Sequence, residues 1–307
     1  MFQVIETDLL LKPLIENDSV KLSVLSSHKK ALNLLTEFKE LISLVLKPIP
    51  CGPGRAVVFD NGAFPTIPKD CTFYLKDKIL YDESGLFLFD FSKTLFWEER
   101  LSLLPTETND FINMLKKSFA VMMPFCKERE KAFFIACREL VFYEKCCNEI
   151  DDPVYSRLFY NLVLFLSDLK KEKVNKESVK KFVINLLGLG YGLTPSGDDI
   201  ISGLLNSFNI ILKYSGCNPG FVNDFADVLS YYVLSSLQRT VAVSASFLSL
   251  SAKGRIPQEV LNYYNACVTG DETELYKAIS YFVQHGDSSG RELFMGLFIG
   301  FYALLAK

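Results

Sequence analysis

The chain has 307 residues, 49% of them hydrophobic and 22% charged, with a formal net charge of −3. That balance fits a globular protein with a sizeable core, expected to form two domains, and leaves no basic footprint for nucleic acid. Eight cysteines without a Cys-x-x-Cys pair point to free thiols in a reducing cytoplasm rather than to a disulfide framework. The start, Met1-Phe-Gln-Val-Ile-Glu6, lacks a basic region and a clean apolar block, so no secretory signal is expected. Strands are expected at Ser19–Leu25 and, after the turn Cys51-Gly-Pro-Gly54, at Arg55–Asp60. The leucines of Ala31–Lys47 fit either period and are read as two strands. Cys71–Leu75 and Ile79–Tyr81 flank Lys76-Asp-Lys78 as a hairpin, and Gly85–Phe91 alternates with period two.

From Thr106 the period changes. Phe111, Met114, Leu115 and Phe119 mark one helix face, and Phe159, Leu162, Val163 and Leu166 another. The charged stretch after Lys170 reads as a solvated connection running into a helix. Further helices are expected at Ser178–Leu187, Gly197–Lys213, Val222–Gln238, Val241–Lys253, Pro257–Thr269, Glu272–Gln284 and Ser289–Leu305. Leu293–Ala306, the most hydrophobic run, is shorter than the roughly 20 residues of a usual membrane span, so no membrane association is expected. The fold class is therefore α+β: a β-rich N-terminal domain over residues 1–104, then a larger all-α domain over residues 105–307.

The most informative segment is Gly188-Leu-Gly-Tyr-Gly-Leu-Thr-Pro-Ser-Gly-Asp-Asp199, because a weaker copy, His285-Gly-Asp-Ser-Ser-Gly-Arg-Glu292, returns near the C-terminus. Laying Ser196 on Ser289 pairs Gly197 with Gly290, Asp199 with Glu292 and Gly203 with Gly296. Each copy opens an apolar helix, so the two helix starts are expected to lie together, related by an approximate twofold. Two registers fit the first start: Thr194 as N-cap with Pro195 in the first helical position, or Ser196 as N-cap with Asp199 third. The second register makes Ser289-Gly-Arg-Glu292 a capping box. Acids in a first turn stabilise a helix through its dipole by about 0.3–1 kcal/mol, so capping alone accounts for them without a ligand.

Two features reach further. Each acid stands four residues before a glycine on the same face, which permits close backbone approach. Gly188, Gly190 and Gly192 make the entering loop side-chain-poor, leaving backbone N–H groups for a phosphate or carboxylate. The spacing is neither a dinucleotide fingerprint nor a Walker loop. Asp198 and Asp199 would repel a bare anion, but could hold a metal, orient a substrate amide, or pair with Arg239 or Arg291. The candidate catalytic residues are Asp198 and Asp199. The candidate substrate-binding residues are Gly190, Gly192, Thr194, Ser196, Gly197, Arg239, Thr240, Ser244, Ser288, Ser289 and Gly290. His28 and His285 form no metal or triad pattern, the adjacent Cys146-Cys147 is not metal-spaced, and no cofactor motif is present.

The segment Gly188–Asp199 resembles the signature of a bacterial family, long catalogued as a domain of unknown function, that contains AllH, a subunit of oxamate carbamoyltransferase. Arg239-Thr240 with Ser244-Ala245, Leu248, Ala252 and Gly254 resembles the family's following helix. Gly286-Asp-Ser-Ser-Gly290 resembles its Gly-His-x-Ser-Gly segment, and Gly52-Pro-Gly54 its N-terminal turn. Asp287 stands where the family usually has histidine, and Glu292 where aspartate is common. The resemblance implies a subunit, working with other subunits, of an enzyme that interconverts oxalurate plus phosphate with oxamate plus carbamoyl phosphate in allantoin use. Its ligands would be small carboxylate- or phosphate-bearing molecules. The alternative is a non-catalytic ligand-binding or assembly subunit, with glycines for packing and acids for capping. Metal-dependent hydrolysis through Asp198, Asp199 and Glu292 lacks an accompanying histidine or cysteine ligand set. An open cleft between the paired loops favours the enzyme, and full burial by the chain's own packing favours the scaffold.

Overall fold

The computed structural model describes residues 1–305 apart from 17–18, 61, 101–107, 146–149, 172–173, 191, 215–219 and 285. Cys146, Cys147 and His285 thus lie outside the described residues. The chain divides into two compact units, Met1–Arg100 and Leu101–Lys307, the first built on strands and the second on helices.

The first unit contains β1 (Phe2–Asp8), a single helical turn α1 (Lys12–Ile15), β2 (Val20–Ser27), β3 (Ala31–Thr36), β4 (Leu41–Leu46), β5 (Arg55–Val58), β6 (Thr72–Lys76), β7 (Ile79–Asp82), β8 (Leu88–Asp90) and β9 (Leu95–Trp97). The strand order is β5-β4-β3-β2-β6-β7-β8-β1-β9, and β1 also pairs with β5. That second pairing closes eight strands into a ring. One edge of β1 runs antiparallel to β5, Val4 opposite Val58, while the other runs parallel to β8 and then β9. Closure leaves few open strand edges. Inside lie Val4, Leu22, Leu34, Leu44, Phe73 and Phe89, all at most 1% exposed.

Local chemistry explains what the sequence did and did not reveal here. β2 alternates buried and outward residues, so its period shows. Every residue of β4 is buried, which is why Ala31–Lys47 lacks a clean alternation although it forms the two expected strands. Asp77 and Lys78, at φ 51° and 65°, form the left-handed two-residue turn of the β6–β7 hairpin. Strands β1 and β9 were not anticipated: β1 shows no strict alternation in burial, and β9 is three residues long.

The second unit contains α2 (Thr108–Met122), α3 (Glu128–Tyr143), α4 (Pro153–Lys170), α5 (Lys176–Leu186), α6 (Ser196–Tyr214), α7 (Gly220–Leu234), α8 (Ala242–Ala252), α9 (Gln258–Thr269), α10 (Glu272–Gln284) and α11 (Ser289–Leu305). From Gly290 to Phe301, α11 is buried on nearly every side, as an apolar helix running through a core should be. Among the described residues, no helix is long and apolar enough to cross a membrane. Helix α6 lies along α11; α2, α3, α4 and α10 cover α11, and α5, α7 and α8 cover α6.

The α6–α11 contact is backbone to backbone. A Cβ on Gly203 would stand 2.3 Å from the Leu293 carbonyl oxygen, and one on Gly296 would stand 2.3 Å from the Ile200 carbonyl oxygen. In the repeat alignment Gly203 corresponds to Gly296 and Ile200 to Leu293, so the two contacts are mates under a local twofold. Gly300 faces Ser207, another aligned pair. The helix starts then meet at one end, where the Thr194 hydroxyl is hydrogen-bonded to that of Ser289 at 2.5 Å.

Candidate functional site

Helix α6 begins one residue away from either expected register, whereas α11 begins at Ser289 as expected, with Ser289 inside the helix rather than capping it. The N–H groups of Asp198 and Asp199 donate to the Pro195 carbonyl, and those of Arg291 and Glu292 donate to the Ser288 carbonyl. Pro195 and Ser288 therefore occupy equivalent cap positions, while Ser196 and Ser289 are the first helical residues. Freed from capping their own helices, the two serines reach across. The Ser289 and Thr194 hydroxyls are hydrogen-bonded to the Asp199 carboxyl, and the Ser196 hydroxyl to Glu292. The expected capping box is replaced by a reciprocal serine–acid exchange between helices.

Glu292 is fully buried. Its Oε1 accepts from the Tyr155 hydroxyl at 2.8 Å and its Oε2 from Ser288 Oγ at 3.1 Å. Asp199 retains some accessible surface as a residue, yet its Oδ2 is shielded from solvent and has no hydrogen-bond partner among the described residues. Burial, and then the charge of Glu292, push the Asp199 carboxyl well above the ordinary range, and burial also raises Glu292. Two interacting carboxyls in a water-poor setting resist ionising together. The pair consequently keeps a proton at pH values where free carboxyls have lost theirs.

Asp198 sits in a different environment. It is 1% exposed, and both oxygens are occupied: Oδ1 accepts the Gly188 N–H at 2.8 Å, while Oδ2 accepts the hydroxyls of Ser244, at 2.6 Å, and Thr240. It ties the entering loop to the start of α8. Burial raises its pKa and the three hydrogen bonds oppose that rise.

The loop glycines have separate tasks. A Cβ at Gly190 (φ 127°) would stand 2.4 Å from the Ser196 nitrogen, and one at Gly197 would stand 2.1 Å from the Leu186 carbonyl oxygen. Gly192 is exposed in open space, and Gly290 is buried at the start of α11. The sequence suggested backbone N–H groups turned towards a ligand, but the N–H groups of Gly197, Asp198 and Asp199 are already bonded to the Leu189 and Pro195 carbonyls. The loop folds back on its own helix and takes those donors.

Arg239 is exposed, and among the described residues its guanidinium makes no ion pair with these acids. Its contribution is its backbone carbonyl, packed against Gly188. Arg291 is likewise committed elsewhere: its Nε and Nη2 donate to the two oxygens of buried Glu130 at 2.6 and 2.8 Å. This bidentate pair joins the first turn of α3 to that of α11. Asp287 is exposed and bonded to Lys127 and, at 3.3 Å, to Arg129; the Lys127 contact holds its carboxyl below the usual range.

A recess opens beside the acid pair, lined by Arg129, Asp152, Val154, Tyr155, Ser196 and Ser288. Of these, Ser196 and Ser288 were anticipated from sequence. Tyr155, Glu130 and Arg129 were not, because nothing local marks them: Tyr155 lies 137 residues from the carboxyl that it bonds. Among the described residues, no group of three or more histidine, cysteine, aspartate or glutamate side chains could hold a metal ion.

No curated protein and no solved structure matches the chain. Residues 186–301, which run from the end of α5 through both helix starts into α11, match the family model described as oxamate carbamoyltransferase subunit AllH.

Proposed function

We propose that the chain is a cytoplasmic subunit of a multi-subunit carbamoyltransferase in allantoin catabolism, interconverting oxalurate plus phosphate with oxamate plus carbamoyl phosphate. The observation that carries this reading is the proton-retaining Asp199–Glu292 pair inside the segment that matches AllH. In the direction of carbamoyl phosphate formation, a phosphate oxygen bonds to the carbamoyl carbon, whose bond to the oxamate nitrogen breaks. The leaving nitrogen gains a proton and phosphate loses one. A carboxyl pair sharing a single proton can supply the first and accept the second, as other paired carboxyls do in acid–base chemistry. The hydroxyls of Tyr155, Ser196 and Ser288 connect Glu292 to the recess, and Asp198 acts as a positioning residue for the loop.

The alternative, an assembly subunit without chemistry, draws support from the complete burial of Glu292. Reconstitution separates them. Carbamoyl phosphate formation from oxalurate is measured for the partner subunits with this chain, without it, and with the Glu292→Gln chain. The enzyme reading expects activity only with the unaltered chain. Equal activity with Glu292→Gln, in a complex that requires the chain, would establish the assembly role.

A further inference from the structure

We propose that the recess beside the acid pair is a one-water proton port, in which Ser288 passes protons between that water and Glu292. The inference rests on the proposed function only in giving the acid pair a proton to exchange; the port itself follows from geometry. The recess has a volume of ≈ 10 Å³, room for about one water molecule and for nothing larger. An enclosed water takes about two to four polar partners, and Arg129, Asp152, Tyr155, Ser196 and Ser288 supply them here. Glu292 is fully buried, so a proton reaches it only through a neighbour. Its three hydroxyl partners, Tyr155, Ser196 and Ser288, all line the recess. Each spends its hydrogen on the ionised carboxylate and keeps a lone pair for the water.

Of the three, Ser288 is placed to relay. It is half-buried, whereas Tyr155 and Ser196 are 4% and 5% exposed. Its backbone is held, because its carbonyl accepts the N–H groups of Arg291 and Glu292, while its hydroxyl hydrogen turns about the Cβ–Oγ bond. Burial and the nearby Glu292 charge hold the Tyr155 phenol proton more tightly than usual, so Tyr155 remains the fixed donor to Oε1. Protonation of the carboxylate then takes two coupled transfers. A hydronium ion in the recess gives a proton to Ser288 Oγ and becomes water. The Ser288 O–H bond that faced Glu292 breaks, and its proton bonds to Oε2, whose oxygen lies 3.1 Å away. Ser288 ends unchanged with its hydrogen turned, Glu292 becomes the acid, and release reverses both transfers. Arg129 and Asp152 contribute one charge of each sign to the lining, so the recess traps neither hydronium nor hydroxide. The remaining charges nearby are Asp287, paired with Arg129, and Asp199, Glu130 and Arg291 around Glu292 itself.

The test is infrared spectroscopy of the full chain on rapid mixing into heavy water at neutral pH. The C=O stretch of a protonated carboxyl shifts when O–H becomes O–D, and loss of the band in Glu292→Gln assigns it to the pair. Ser288→Ala should slow the shift by about tenfold or more, and Ser288→Thr, which keeps a hydroxyl, should restore the parent rate. Val154→Leu enlarges a residue of the recess wall with every hydroxyl in place, and should slow the shift similarly. Urea below the unfolding transition should leave each rate unchanged. Parent-rate exchange in Ser288→Ala or in Val154→Leu overturns the port and leaves the acid pair standing. So do rates that climb with urea, which mean exchange through transient opening, and slowing by Thr194→Val alone, which routes the proton through Asp199. Absence of the band in the wild type overturns the port together with the proton-retaining pair. An assembled complex inactive in carbamoyl transfer, built with a chain whose exchange follows Ser288, overturns the proposed reaction and keeps the port.

Discussion

Replacing Gly203 with alanine inserts one methyl group where α6 and α11 touch through their backbones. The new Cβ would lie 2.3 Å from the Leu293 carbonyl oxygen, 2.7 Å from the Leu297 nitrogen and 2.8 Å from the Gly296 Cα. These are backbone atoms of a buried helix and cannot swing aside, so the helices must separate by about an ångström. Overpacking of this kind costs about 1–3 kcal/mol. Alanine recovers up to ~1 kcal/mol of helix propensity, which the separation of the two most buried helices outweighs. In a helical unit of this size, each kcal/mol lowers the melting midpoint by roughly 2–4 °C, so a fall of roughly 2–12 °C is expected. Gly296→Ala should match it, because its Cβ meets the Ile200 carbonyl oxygen at the same 2.3 Å. The double variant should cost less than the sum, since one separation relieves both contacts. Gly220→Ala, with nothing within 4 Å of its Cβ, is the control. The assay is thermal and urea unfolding followed by far-ultraviolet circular dichroism. Parent-like melting of both variants would refute the backbone crossing.

Glu130→Gln leaves the buried Arg291 guanidinium without its bidentate partner and should cost about 3–5 kcal/mol, read as a shift in urea midpoint. Ser244→Ala removes a 2.6 Å hydrogen bond from the buried Asp198 carboxylate and should cost about 1–3 kcal/mol, detected in the same way. The pH dependence has a definite sign. Asp199, Glu292 and Asp198 all have raised pKa values, so above the ordinary carboxylate range the folded chain binds more protons than the unfolded one. Their contribution to stability is therefore greatest below the unfolded pKa and declines as pH rises through the folded values. Urea midpoints from pH 5 to pH 8 should show the decline, and it should be shallower in Asp199→Asn.

Much of this arrangement was legible in the sequence because it rests on local periodicity and on a repeat. The spacing shared by Ser196–Gly203 and Ser289–Gly296 specified both helix starts and the two glycines at their crossing. The expected helix at Glu272–Gln284 coincides with α10 because its apolar residues follow one face. Propensity misplaced the caps. Thr194 and Ser196 are good capping residues, but the cross-helix bonds to Asp199 and Glu292 recruit Ser289 and Ser196 instead, so α6 starts one residue over and Ser289 opens α11 without capping it. Long-range partners were illegible: Tyr155, Glu130 and Arg129 reach the site from α3 and α4, and their identities matter only once those helices dock against α11. Local patterns also favoured Arg239 as a partner for the acids, whereas its backbone carbonyl, packed on Gly188, is what the fold uses.

The account's central claim is that the Asp199–Glu292 pair handles the proton in carbamoyl transfer, and single-turnover carbamoyl phosphate formation by a complex carrying Asp199→Asn tests it most directly. The amide preserves shape and removes the titrating group, so loss of acid–base assistance should slow transfer by about 10²–10⁴-fold. The melting midpoint at neutral pH should stay level or rise, because a buried carboxyl, one of whose oxygens has no partner among the described residues, has been replaced by a neutral group. Transfer at the parent rate in a correctly assembled complex would contradict the claim and leave the pair as a packing feature of the α6–α11 start.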